Sequence, residues 1–269
     1  MNKKGRIFVL IGLILSLFLI TSCDEVKDDI KDDLDDVIDE VTSPFKEATA
    51  YGIVYKDYVG MARVITANDI IVHIDIDEAF MPIVWAQETK AGTLTDVVTK
   101  EDGSAFTTNN ELRYAKYIKI GDTVFTGVPY TDEELKDVTS TKQLIKYSSE
   151  KIADLHKHLL KEENAKWYIE EILKGNAYVC DKDGKRVETT DVNLQGALFK
   201  SNSLYWTTGE TGWAKNIQYF TNALIGTKMT DGVSMEDGFV KVGDVVTSAT
   251  FMAYQDYYDL VKKAYEAIK

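Results

Sequence analysis

The sequence predicts an α+β fold in which antiparallel strand pairs pack against a few helices, and three observations predict it. Apolar and polar side chains alternate over residues 70–77, the mark of a strand with one buried and one wet face. Turn chemistry recurs between such stretches, at Ala67-Asn68-Asp69, at Gly121-Asp122 and at Asp181-Lys182-Asp183-Gly184. Apolar residues at helical spacing fill residues 143–174 and the segment from Tyr254 onward.

Lys3, Lys4 and Arg6 precede an almost unbroken apolar run over residues 7–20. The run is shorter than the roughly 20 residues that span a bilayer, and small residues and acid follow it, as in an export signal. Ile20-Thr21-Ser22-Cys23 then resembles a bacterial lipobox. That resemblance implies a lipoprotein signal peptide over residues 1–22, a lipid on Cys23, and a protein held on the extracytoplasmic face of the cell membrane. An uncleaved anchor, or an ordinary signal peptide with an incidental cysteine, is the competing reading. With Cys23 lipidated, Cys180 is the second of only two cysteines, so no internal disulfide forms.

Charge is unevenly spread. The chain carries −13, and removing the signal would strip three positive charges from it. Ten acids crowd residues 24–40 against Lys27 and Lys31, marking residues 23–47 as an acidic membrane tether. Apolar residues recur there at Val26, Ile30, Leu34, Val37 or Ile38, and Val41, so a marginal acidic helix and a stretched linker both fit. Nothing here is basic enough for nucleic acid.

Ser43-Pro44 marks the edge of a domain expected over residues 48–269, large enough to bury its own core. Residues 51–58, 61–66 and 70–77 read as strands, the last with Ile70, Val72, Ile74 and Ile76 inward and Ile71, His73, Asp75 and Asp77 outward. After Trp85, residues 92–110 read as a polar loop, and residues 114–120 and 123–126 as a hairpin. Residues 143–174 read as one long helix with a break near Asn164 and a stop at Gly175. His156 and His158 fall on different faces of it, a poor spacing for a shared metal, and His73 is the remaining histidine.

Residues 177–180 and 185–189 flank the next hairpin turn, with Cys180 read as a small buried group. Thr211 is the expected cap of a helix carrying Trp213, Ile217, Phe220 and Leu224, closed by Gly226. Asp231, Glu236 and Asp237 miss the ligand spacing of a calcium loop and read as solvated loop, so no metal is expected. Tyr254, Tyr257, Tyr258, Leu260, Val261 and Tyr265 form the apolar face of a last helix.

Just before that helix stands Asp244-Val245-Val246-Thr247-Ser248-Ala249-Thr250. It resembles the flavin-attachment signature of the FMN-binding domain family: an Asp, two variable residues, a Ser or Thr, a small residue that is usually Gly, then Ala and the acceptor Thr. Asp244, Thr247, Ala249 and Thr250 match position for position, and Ser248 stands where Gly is commonest. The opening strand pairs are similar to that family as well. Residues 96–99 look like the start of a second copy, but Lys100-Glu101 replaces its small residues and rules it out as an acceptor.

The resemblance implies an FMN-binding-domain-like fold with FMN joined through its phosphate to Thr250 by a separate flavin transferase. Small neighbours leave room for that enzyme, and the Thr247 hydroxyl is suited to shaping the turn. The implied role of Asp244 is to place the hydroxyl or a metal during transfer. An isoalloxazine ring needs a flat partner, for which Trp206, Trp213 and Tyr254 are candidates, along with Trp85; Trp206 and Trp213 flank a Gly-containing loop over residues 207–212. The implied function is electron carriage from a quinone-linked membrane donor to an external acceptor, with the flavin doing the redox chemistry. Two rivals stay open: a ligand-binding lipoprotein without covalent flavin, and a pheromone precursor, since residues 15–22 resemble short apolar peptides released from some lipoprotein signals. An enzyme with its own substrate is less favoured, because no nucleophile–base pair stands out.

Overall fold

A long hairpin forms the spine of the domain. Strand β1 (Phe45–Val54) pairs with β2 (Tyr58–Ala67), and β2 pairs antiparallel with β3 (Ile70–Phe80). The computed structural model describes residues 45–56, 58–108, 111–136, 144–188, 198–202, 212–229 and 232–269; the expected signal peptide, Cys23 and most of the tether lie outside the described residues. Residues 46–269 cluster as one unit.

Both turns of this sheet place non-glycine residues in the left-handed region. Asn68 and Asp69 (φ 52° and 63°) make the β2–β3 turn, as their side chains favour. The β1–β2 turn falls at Tyr55 and Lys56 (φ 52° and 65°), inside the stretch expected as continuous strand. Asp57 is the one turn-favouring residue beside that spot in sequence, and the Tyr55 N–H donates to Asp256 Oδ2 at 2.8 Å, a contact that only the fold supplies.

The alternation over residues 70–77 also changes phase. The register shifts so that Ile65 faces His73 while Thr66 faces Ile71. Ile71 is therefore buried and Val72 is 38% exposed, the reverse of the expected pattern, whereas Ile74 and Ile76 point inward as expected. A bulge leaves one residue unpaired and flips every side chain beyond it to the other face.

Two apolar clusters share the spine. In the first, α1 (Pro82–Trp85) leads into the β4–β5 pair (Gln87–Thr89 and Leu112–Tyr114). Strands β6 (Tyr117–Ile120), β7 (Thr123–Pro129), β8 (Ile145–Ser148) and β9 (Ala177–Val179) form an antiparallel sheet in the order β8-β7-β6-β9. A capped turn, α2 (Asp132–Leu135), follows β7, and α3 (Leu155–Leu159) and α4 (Glu162–Leu173) cover the sheet with Leu155, Leu159, Tyr168 and Ile169. The loop over residues 92–108 contributes Leu94 and Val98 to this core.

The single helix expected over residues 143–174 is thus corrected. Residues 145–148 are a strand on the edge of β7, and helix begins only at Leu155. Ile145 and Tyr147 are buried while Lys146 and Ser148 are half-exposed, a period of two too short to distinguish from a helix by pattern alone. Gly175, at φ 75°, does end α4.

The second cluster joins α5 (Trp213–Leu224), the small sheet β10 (Val233–Glu236), β11 (Phe239–Val242) and β12 (Val245–Val246), and α6 (Tyr254–Ile268) to β1, β2 and β3. Gly212 is the N-cap of α5, while the expected cap Thr211 lies outside the described residues. Asp237 and Gly238 (φ 52° and 84°) make the β10–β11 turn, so the region expected as solvated loop is partly a hairpin. Helix α6 approaches β2 closely at glycine: a Cβ on Gly60 would stand 2.5 Å from Val54 Cγ2 and 2.8 Å from Leu260 Cδ1. The fold is α+β, with mixed helices and antiparallel sheets.

Candidate functional site

The stretch 244–250 folds back along β11. Gly243, at φ 56°, and Asp244 make the two-residue turn between Val242 and Val245, which pair across the strands. The Thr247 N–H and Thr247 Oγ1 both donate to Val240 O, at 2.8 and 2.7 Å. Thr247 Oγ1 in turn accepts the Ala249 N–H at 3.0 Å, and the Val240 N–H donates to Ala249 O at 2.7 Å. One hydroxyl thereby shapes the whole turn, the local side-chain-to-backbone bonding expected of threonine. Ala249 is fully buried against the second cluster, so a small residue is required there.

This turn presents Thr250 outward. Thr250 is exposed, its N–H donates to Asn216 Oδ1 at 2.7 Å, and its hydroxyl donates to the same oxygen at 3.3 Å. Asn216 is 6% exposed and comes from the buried face of α5, where its Nδ2 donates to Gly212 O at 3.2 Å. Phe251 then turns inward and packs edge-on between Phe220 and Tyr257, at 5.8 and 4.9 Å between ring centres. Thr250 is thus followed directly by a residue anchored in an aromatic cluster.

The other expected site residues are placed as follows. Ser248 is exposed, and its φ is not positive, so nothing in the backbone demands glycine there. Asp244 sits at the hairpin tip, close enough to Lys241 to help Glu236 raise that lysine's pKa. Thr250 lies at the far end of β11, roughly 10 Å along the strand at 3.3 Å per residue, and no hydrogen bond joins it to Asp244 among the described residues. Tyr254 is half-buried in the first turn of α6. Trp206 lies outside the described residues. Trp213 is only 9% exposed, and Trp85 is 4% exposed in the first cluster, where its Nε1 donates to Tyr168 Oη at 2.9 Å.

Trp213 belongs to a buried polar group that the sequence did not announce. Its Nε1–H lies 3.0 Å from Glu78 Oε1 and 2.9 Å from Tyr257 Oη. Lys200, in a single 3-10 turn (Lys200–Asn202), reaches Glu78 Oε2 at 2.7 Å and lies 4.0 Å above the Tyr58 ring. Burial pushes the Glu78 carboxyl up, and Lys200 opposes that push. Next to it Asp77 accepts from the Ser201 hydroxyl and N–H, and burial raises this carboxyl too.

Asn216 and Glu78 each leave a signal in the sequence. Each interrupts an apolar pattern at an inward position: Asn216 between Trp213 and Ile217, Glu78 between Ile76 and Phe80. A buried polar group demands a partner, so such an interruption points to a contact from elsewhere in the chain.

Chemically, among the described residues the site offers a hydroxyl and the amide that holds it. The amide oxygen of Asn216 orients a proton but takes none, so Thr250 is suited to accept a group in a reaction catalysed by another protein. Cys180 is no alternative nucleophile, because burial first and Asp181 second push its thiol up to about 11. A hollow lined by Met81, Pro82, Tyr147, Leu155 and His156 measures about 10 Å³, room for one water and too little for a small-molecule ligand. No protein-family model, curated protein or solved structure matches the chain.

Proposed function

We propose that this chain is a lipid-anchored extracytoplasmic flavoprotein that carries FMN as a phosphoester on Thr250 and passes electrons from a quinone-linked membrane donor to an external acceptor. The observation that carries the reading is the presentation of Thr250: an exposed hydroxyl at the end of a turn fixed by Thr247, with Ala249 buried behind it. These are the positions at which the sequence matches the attachment signature of the FMN-binding domain family. The one departure, Ser248, is exposed and free of steric demand.

In the attachment step Thr250 Oγ1 bonds to the FMN-side phosphorus of FAD. The bond between the two phosphates breaks, AMP leaves, and the hydroxyl proton passes to a base in the flavin transferase. The chain's own residues hold the acceptor still, which is most of what phosphoryl transfer asks of a substrate. Once bound, the flavin supplies one- and two-electron redox chemistry. Attachment to Thr250 and anchoring at Cys23 would together keep the cofactor at the membrane surface, where a lost flavin is not recaptured.

The test is co-expression with a flavin transferase, followed by denaturing-gel fluorescence, intact mass and peptide mapping. Wild-type chain should carry one FMN, and Thr250→Ala should carry none. The variant should stay folded, since an exposed hydroxyl contributes within about 0.5 kcal/mol. Flavin retained on Thr250→Ala, or no adduct on wild type beside an active transferase, would overturn the proposal.

A further inference from the structure

Three hydroxyls lie within four residues in this turn, and the structure distinguishes them. Thr247 Oγ1 is engaged on both sides, donating to Val240 O and accepting from the Ala249 N–H. Ser248, like Thr250, is exposed to solvent, yet among the described residues no hydrogen bond holds its hydroxyl. Thr250 alone of the three is gripped by a buried side chain from another element, through its N–H at 2.7 Å and its hydroxyl at 3.3 Å. Exposure therefore does not decide which hydroxyl reacts.

We infer that Asn216 is a positioning residue that selects Thr250 over Ser248 as the acceptor, an inference that rests on the flavin-attachment reading above. A hydroxyl has one proton to donate and two lone pairs. In the resting turn the hydroxyl proton points at Asn216 Oδ1, which leaves the lone pairs of Thr250 Oγ1 for the arriving phosphorus; the proton then passes to the transferase's base as the new P–O bond forms. The Thr250 N–H bond to Asn216 Oδ1 fixes the backbone, so the hydroxyl has a defined position as well as a direction. Asn216 is itself fixed, because its Nδ2 donates to Gly212 O one helical turn back and its side chain is buried beside Trp213 and Ile217. The Ser248 hydroxyl, by contrast, has no hydrogen-bond partner among the described residues to fix its direction. Holding a reactant in one orientation is a large lever on rate, so the gripped hydroxyl wins although both are accessible.

Asn216→Ala removes the grip and leaves every motif residue in place. With FAD and a flavin transferase, the initial attachment rate should fall about tenfold or more, and peptide mapping should show the residual adduct shared between Thr250 and Ser248. The fall should appear in kcat more than in KM, since the docking surface of the turn is untouched. Asn216→Asp keeps an acceptor oxygen for Thr250 but loses the Nδ2 bond to Gly212 O, so attachment should stay at Thr250 at a rate between those of wild type and Asn216→Ala. If Asn216→Ala does not melt cooperatively, Asn216→Ser replaces it, because its hydroxyl still reaches Gly212 O but is too short for Thr250. Wild-type rate with attachment only at Thr250 in a folded Asn216→Ala or Asn216→Ser variant would overturn the selection role and leave the flavin reading intact. Absence of adduct on wild type in the same assay would instead remove the flavin reading, and this inference with it.

Discussion

Lys200→Met should be among the most damaging single changes in the second half of the domain. Glu78 has no exposed side-chain surface, Lys200 has 7%, and their charges meet at 2.7 Å. Removing one partner strands a buried charge, at a cost of about 3–5 kcal/mol. For a domain of this size that corresponds to a fall in Tm of roughly 6–20 °C. Trp213 Nε1–H still reaches Glu78 Oε1, so the carboxylate keeps one donor and the loss should sit at the lower end of that range. The loss should also depend on pH. Burial already holds the Glu78 pKa above its ordinary value, and Lys200 is the chief influence pulling it down. Without the lysine the folded-state pKa rises further, so the folded state binds the proton more tightly than the unfolded one. Stability from that proton is full below the unfolded value and is lost as pH rises through the folded value. The gap in Tm between wild type and variant should therefore widen from pH 5 to pH 8. Thermal melts at both pH values check this, and adding Glu78→Gln to Lys200→Met should recover much of the loss at pH 8. Equal melting of wild type and variant at pH 8, or a gap that does not change with pH, would refute the reasoning.

Gly60→Ala should cost about 1–3 kcal/mol, because its Cβ would stand 2.5 Å from Val54 Cγ2 and 2.8 Å from Leu260 Cδ1. A urea midpoint unchanged from wild type would show that α6 shifts freely on β2. The Cys180 thiol, pushed up to about 11, should react with iodoacetamide at pH 8 about a hundredfold more slowly in native than in denatured protein. Equal rates would place that thiol at the surface.

Elements with strong local chemistry were legible in the sequence. The Asn68-Asp69 turn, the Gly121 turn and the Gly175 and Gly226 helix ends each name a residue whose backbone preference decides the conformation, and all adopt positive φ. The misreadings share one cause, which is that a distant partner overrode a local pattern. Tyr55-Lys56 turns while bound to Asp256, two hundred residues on. Ile145–Ser148 becomes strand because the edge of β7 offers backbone partners to a run too short to settle its own period. The bulge beyond Ile65 exchanges Ile71 for Val72 without any glycine to mark it.

The same division runs through the candidate site. Thr247, Ala249 and Thr250 were legible because a seven-residue spacing fixes their relation, and their roles in the turn are local. The partners of Asn216 and Glu78 were not, since Thr250 and Lys200 lie 34 and 122 residues away. Yet each had left a mark, a polar side chain at an inward position of an otherwise apolar strand or helix. Burying such a group without a hydrogen bond costs enough that natural chains rarely do it. The useful reading of an interrupted apolar stripe is therefore neither a flaw nor a surface position but half of a long-range contact. On α5 that contact is Thr250, so the helix that supplies Trp213, Ile217 and Phe220 to the core also supplies the grip on the proposed acceptor. A change that loosens α5 should then slow attachment at Thr250 even where no motif residue is touched.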